Sequence, residues 1–246
     1  MPGHLRVGIA AAVLVSLGLL GAAGSASAGE LLTNGNLDQT YQQEIVPGFF
    51  LPKPADWANV GTRTISGPYE DEMSSEPWAG PAPTPVTGAN DMGVFFKAFS
   101  GSATTGPATG HLFQDHPATP GLVYTLTGWA GAEANFLGTG QMAVEFLDSG
   151  ANEIPLSGSE LNLNTAGLFV PNGQPFNYKQ YTVSALAPAG TVSVRARVSM
   201  LNGLANPDGG GQAFVVDDFS LVPEPSFLAI ALPAGLVLLR RRSRAL

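Results

Sequence analysis

Among the 246 residues of this chain, the side chain with the clearest chemical demand is a carboxylate set among apolar neighbours near the C-terminus. The run Ala213, Phe214, Val215, Val216, Asp217, Asp218, Phe219, Ser220, Leu221 reads as a strand, and successive strand side chains point to opposite faces. Period two then groups Asp217 with Ala213, Val215, Phe219 and Leu221. A carboxylate on such a face is costly unless it is compensated. The compensation would be a cation, an arginine such as Arg195 or Arg197, or several hydrogen bonds. A second acidic group, Glu70-Asp71-Glu72 with Glu76, has the residue type for acid and base work on glycosidic bonds. Its members are adjacent in a proline-rich stretch, which predicts solvated loop charges and no buried general acid. His111 and His116 flank Asp115 and would share a metal only if the chain turned there, so exposed loop histidines are expected. No Gly-x-Ser-x-Gly elbow, His-Glu-x-x-His pair or phosphate-cradling loop occurs, and the chain reads as non-catalytic. Stacking on a sugar face needs an exposed aromatic. Trp57, Tyr69, Trp78, Trp129 and Tyr178 are available, and Trp129, out of phase with Tyr124 and Leu126, is the one expected to face outward.

The elements that must position these groups are strands. The chain has 31 glycines and 20 prolines, and short alternating runs recur between turn residues. In 191–199, Val192, Val194, Ala196 and Val198 share one face, with Thr191, Ser193, Arg195 and Arg197 on the other. In 141–147, Met142, Val144 and Phe146 point inward, with Gln141 and Glu145 outward; Asp148-Ser149-Gly150-Ala151-Asn152 is a natural turn after them. Further strands are expected at 30–37, 60–65, 93–99, 110–114, 123–129, 178–184 and 213–222. Eight or nine such strands without crossover helices predict an all-β antiparallel β-sandwich, with a jelly roll the natural subtype at this size. Residues 67–90 read as one long loop and 202–211 as a glycine-rich turn.

Charge and composition remove some functions. The formal net charge is −8. Between residues 29 and 222 the only basic side chains are Lys53, Arg63, Lys97, Lys179, Arg195 and Arg197. Nucleic-acid binding depends on neutralising phosphates, so no nucleic-acid partner is expected, whereas divalent cations and neutral glycans remain compatible. With no cysteine in the chain, neither disulfides nor thiolate metal sites can contribute.

Three segments resemble carbohydrate-binding-module-like, galactose-binding-type jelly rolls. Leu31-Leu32-Thr33-Asn34-Gly35-Asn36-Leu37-Asp38 is similar to their opening strand, although Leu37 and Asp38 stand where Phe and Glu are commoner. Gly121-Leu122-Val123-Tyr124-Thr125-Leu126-Thr127-Gly128 resembles a recurring middle strand, and Phe214-Val215-Val216-Asp217-Asp218-Phe219-Ser220-Leu221 a closing strand. The resemblance implies a structural calcium between the first and last strands, held by Asp38 and Asp217, and hard oxygen donors suit that ion. It also implies that Trp57 plugs one end of the domain, and it makes Trp129 the first candidate for a sugar platform. The fragment Asn206-Pro207-Asp208-Gly209 lacks the later ligands of a calcium loop and is expected to be only a turn.

Both termini read as addresses. Arg6, the apolar run 7–20 and Ala26-Ser27-Ala28 form a signal peptide with cleavage after Ala28. At the other end stand Pro223-Glu224-Pro225, an apolar run over 227–239, and Arg240-Arg241-Arg242. A helix over that run would span about 20 Å, short of the roughly 30 Å hydrocarbon core, with the arginines held on the cytoplasmic side. This tail resembles the PEP-CTERM sorting signal of exported bacterial proteins. That implies an exosortase-type processing partner, transient membrane association and a final place at the cell surface or in the extracellular matrix. The expected organisation is a signal helix over 1–28, a β-sandwich over 29–222, and a sorting tail with a short transmembrane helix over 223–246. The leading expectation is a structural or adhesive matrix protein associated with exopolysaccharide. A glycan-binding module with a defined site is the alternative, and a glycoside hydrolase the third reading.

Overall fold

The computed structural model describes residues 29–62, 72–77, 91–171 and 177–224. Twelve strands are present among them: β1 (Thr40–Val46), β2 (Phe49–Pro54), β3 (Ala58–Thr62), β4 (Met73–Pro77), β5 (Met92–Phe96), β6 (Ala108–Pro117), β7 (Val123–Ala132), β8 (Leu137–Leu147), β9 (Ser159–Asn162), β10 (Lys179–Leu186), β11 (Ser193–Leu204) and β12 (Phe214–Glu224). One five-stranded sheet has the order β10-β7-β12-β5-β4, the other β3-β6-β11-β8-β9, and β1 and β2 form a separate hairpin. All pairings are antiparallel. From β3 onward the chain repeatedly crosses between the two sheets, as expected of a β-sandwich.

Alternation decides which face each strand buries. Met142, Val144 and Phe146 of β8 meet Val194, Ala196, Val198 and Met200 of β11, and Leu126, Phe214, Val216 and Leu221 close the same core from the facing sheet. Each of these side chains except Ala196 contributes about 1.5–3 kcal/mol when fully buried. The predicted alternation of β8 and β11 therefore holds, except where β11 begins. There Thr191 is buried and Val192 exposed, because the chain is still bending before Ser193.

Three expectations change. Residues 30–37 are not a strand: the segment turns at Asn34–Asn36, then lies along β12 through Leu31 N–H to Leu221 O at 3.0 Å and Phe219 N–H to Gly35 O at 2.7 Å. The long loop expected over 67–90 contains β4, whose Met73 joins the core. The β1–β2 hairpin was masked in the sequence by its prolines. Pro47 and Gly48 make its turn, with Gly48 at φ +81° and its N–H donated to the Glu44 carboxylate at 2.8 Å.

The phase of β12 also differs from simple alternation. A register shift lies between Asp217 and Ser220, where Asp217 faces Trp129 and Ser220 faces Thr127. Asp218 absorbs the extra residue at φ +50°, a conformation that aspartate tolerates better than most. Beyond this bulge Phe219 and Leu221 turn into the main core with Phe214 and Val216, whereas Val215 and Ala213 belong to a small cluster on the opposite face of the sheet. The bulge fits because two glycines leave room for it. A Cβ on Gly35 would lie 2.3 Å from the Phe219 carbonyl oxygen, and one on Gly128 would lie 2.3 Å from the Phe219 ring.

Candidate functional site

Asp217 stands on the outer face of the β10-β7-β12-β5-β4 sheet, beside its cross-strand neighbour Trp129. The expected shared face with Phe219 and Leu221 is thus corrected by the bulge, yet the carboxyl is only 1% exposed. It accepts the Asp218 N–H at 2.8 Å. Burial pushes its pKa up to about 9, the Asp218 charge adds to this, and Asp38 and Asp91 contribute. Asp218 is raised as well, by burial first and then by Asp38 and Asp91. Neither arginine considered as a partner reaches this site. Arg195 makes a two-pronged pair with Asp115 at 2.7 and 2.8 Å, and Arg197 is committed to Glu145 and Glu160.

Asp38 accepts Met92 N–H at 2.9 Å and the Asn36 amide at 2.5 Å. The opening segment and the closing strand are therefore brought into one electrostatic neighbourhood, as the calcium expectation requires. Among the described residues, no group of three or more His, Cys, Asp or Glu is arranged to hold a metal ion. Calcium at Asp38 and Asp217 would need backbone carbonyls or water to complete its shell. Oxygen donors of this kind suit calcium, while the buried Asp217 carboxyl is already accommodated by the Asp218 N–H and by a pKa raised to about 9.

Trp129 does stand on the outer face. One side of its ring is taken by Tyr178, with centroids 5.6 Å apart and planes at 29°, and it packs against Phe95, Tyr178, Ala213 and Val215. Tyr178 is buried. Trp57 is buried too, packs on Phe219 at 5.5 Å and donates its indole N–H to Asn34 O at 3.0 Å. Tyr69, Glu70, Asp71 and Trp78 lie outside the described residues, as do Ala26, Ala28, Pro225, Arg240, Arg241 and Arg242. Pro223 and Glu224, expected to open a sorting motif, belong to β12 and pair with Tyr124 and Val123. Thr125 donates to the Glu224 carboxylate at 2.7 Å.

Glu72, His111, His116 and Asp208 are tied into the fold by hydrogen bonds. Glu72 is buried, not solvated, and its carboxylate accepts the Ser100 N–H at 3.0 Å and the Ser100 hydroxyl. Both histidines lie within β6 and not in a loop. His111 Nδ1 lies 2.7 Å from Ser199 Oγ, and His116 Nε2 lies 2.9 Å from Gln114 Oε1. Each is held below the usual histidine range, chiefly by burial, with Arg197 the next cause for His111. Asp208 sits in a turn, its N–H donated to Asn206 Oδ1 at 3.0 Å.

A cleft that sequence reasoning missed opens at one end of the sandwich. It has a volume of about 520 Å³ and is lined by Glu76, Phe95, Lys97, Phe99, Glu133 and Gln212 among others. Its walls come from β4, from β5 and the loop after it, and from the loops that precede β8 and β12. No local motif could have found these residues, because they are far apart in the chain. Lys97 pairs with Glu76 and lies over the Phe95 ring, 5.2 Å from its centroid. Ser74 donates to Glu76 at 2.8 Å, and Glu133 accepts Ala213 N–H at 2.6 Å. Phe99 is 41% exposed at the rim. Phe95 lines the cleft and also belongs to the cluster that supports Trp129, so the two features adjoin.

No protein-family profile matches the chain, and no curated protein resembles it closely in sequence. Similar solved structures include the enzymatically active domain of tailspike protein 4 from bacteriophage CBA120, with TM-score 0.45 and 13% identity over 69% of this chain and 19% of that one. An arabinose-bound α-L-arabinofuranosidase gives 0.47 and 14% over 81% of this chain and 27% of that one. The chain thus spans less than a third of either protein. A carbohydrate-binding module in complex with β-1,4-galactotriose gives 0.40 and 17%, over 69% of this chain and 90% of that one.

Proposed function

We propose that this chain is an exported, non-catalytic adhesive protein whose β-sandwich holds a neutral glycan of the cell surface or extracellular matrix. The cleft of about 520 Å³ carries this reading. It pairs an exposed ring, Phe99, with fixed polar groups on Lys97, Glu76, Glu133 and Gln212. That combination suits a pyranose, whose C–H face lies on a ring while its hydroxyls find donors and acceptors. Both carboxylates already accept hydrogen bonds from the protein, as binding groups do. The net charge of −8 disfavours polyanionic chains. Trp129 extends the surface beyond Phe95. Calcium held by Asp38 and Asp217 would fix the opening segment against β12. The signal peptide and the exosortase-type tail account for export, with membrane association ending once the tail is processed.

The test is binding of the mature chain to a panel of polysaccharides, the producing cell's own exopolysaccharide among them, with calcium and with a chelator. Saturable binding that Phe99→Ala weakens without unfolding the protein is the expected result. A folded protein that binds none of them would leave a purely structural matrix role. Turnover of any glycan, lost in Glu76→Gln or Glu133→Gln, would replace the proposal by hydrolysis.

A further inference from the structure

The sandwich has two ends, and residues 29 and 224 lie at the same one. β12 finishes at Glu224 opposite Val123, the first residue of β7, and Val123 in turn faces Leu186, the last residue of β10. The opening segment runs antiparallel to β12, with Gly35 at Phe219 and Leu31 at Leu221, so residue 29 lies toward the Glu224 end. Only residues 225 and 226 separate Glu224 from the apolar run 227–239, and the apolar run 7–20 precedes residue 29. The cleft lies at the other end, among the loops that follow β5 and precede β8 and β12.

The end that holds residues 29 and 224 exposes several aliphatic side chains among the polar Thr119, Ser149, Asn152 and Glu153 of its loops and the neighbouring Glu30 and Glu224. Its loops are 118–122, 148–158 and 187–192, joined through Ala118 N–H to Val192 O and Val192 N–H to Leu147 O, at 2.9 and 2.8 Å, and through Ala187 N–H to Leu122 O at 2.9 Å. Leu156, Leu186 and Val192 stand 108%, 61% and 49% exposed there. These loops contain no lysine or arginine, and Asp148 and Glu153 are their only acids. Asp148 is turned back on its own loop, accepting Gly150 N–H at 2.8 Å and Asn152 N–H at 3.0 Å.

We infer that this end rests on the lipid bilayer while the tail is attached, with Leu156, Leu186 and Val192 touching the membrane interface and the glycan cleft facing away. This rests on the proposed membrane insertion of 227–239. Two linking residues reach about 7 Å at most, so a domain carried on them cannot stand clear of the headgroups. Apolar side chains at that boundary gain from burial. The absence of lysine and arginine from these three loops favours an apolar contact over an attraction to anionic lipid. β12 has 11 residues, so at about 3.3 Å per residue the cleft stands about 35 Å from the surface. The domain would present its ligand site outward before release.

The chain has no cysteine, so single labels are straightforward. Leu156→Cys, Leu186→Cys, Val192→Cys and, at the cleft end, Leu137→Cys would each carry an environment-sensitive fluorophore in the full chain, reconstituted into phosphatidylcholine vesicles. Flotation first reports whether the chain is membrane-bound. The expected result is a blue shift and at least about threefold stronger quenching by headgroup-nitroxide lipid at 156, 186 and 192 than at 137. Equal or reversed quenching in chains that float would overturn the inference and leave the export reading standing. Chains that do not float would remove both. Protection that vanishes in nanodiscs holding one copy would overturn it in favour of a second copy covering this end.

Discussion

The two ends of the sandwich are built from the same strands and carry opposite chemistry. At the cleft end, ordered charges are paired over a ring, and Lys97, Glu76 and Phe95 hold one another in place. Short loops at the terminal end expose aliphatic side chains beside turns that satisfy their own backbone. The difference shows where a β-sandwich keeps its freedom. Between the ends, alternation and the core leave little choice of residue. Loops carry neither constraint and can be fitted to separate partners.

The strongest challenge to that separation is to remove a side chain that supports only one end. Phe214 lies 5.6 Å from Phe96 and 5.8 Å from Phe136, beneath the cleft. Phe214→Ala should cost about 3–5 kcal/mol of stability, measured by urea unfolding, and should remove glycan binding along with the fold. Gly128→Ala tests the middle. A Cβ there meets the Phe219 ring at 2.3 Å, so a loss of about 1–3 kcal/mol is expected. Calcium-dependent stabilisation should fall with it, because the bulge that presents Asp217 is displaced. Lys97→Ala should weaken glycan affinity about tenfold, near 1.4 kcal/mol, while unfolding shifts by less than about 1 kcal/mol, as for a partly exposed ion pair. A change in vesicle contact from that variant would show that the ends are coupled.

Asp217 gives a pH test that bears on both ends equally. Its folded-state pKa is raised to about 9, so its proton is held more tightly in the folded chain than in the unfolded one. That contribution is complete below the unfolded value near 4 and is lost as pH rises through about 9. In chelator, stability should therefore decline between those limits. Asp217→Asn should flatten the slope, and calcium should flatten it in the parent chain while leaving the variant unchanged. Thermal unfolding at several pH values decides the matter. The smallest effect belongs to Leu186→Ser, an exposed change expected to stay within about 0.5 kcal/mol in stability and to leave glycan affinity untouched.

Much of this was written in local pattern. Alternation in 141–147 and 191–199 marked β8 and β11, their inward faces and the turn at Asp148, because a strand that buries one face must repeat every second residue. The closing strand 213–222 was legible in the same way, from its apolar run. The hairpin of β1 and β2 was hidden because Pro47 and Pro52 break its pattern, and β4 because it is five residues long among prolines.

What the sequence determined by itself was an all-β domain between two apolar terminal runs, since composition and period two are properties of neighbouring residues. Tertiary structure alone decided the rest. The bulge at Asp218 reversed the phase of β12, because Gly35 and Gly128, 93 residues apart by their numbers, both make room for Phe219. It likewise gathered Glu76, Lys97, Glu133 and Gln212 into one cleft and brought residues 29 and 224 to the opposite end. Convergence of that kind depends on strand order and register, which no stretch of neighbouring residues encodes.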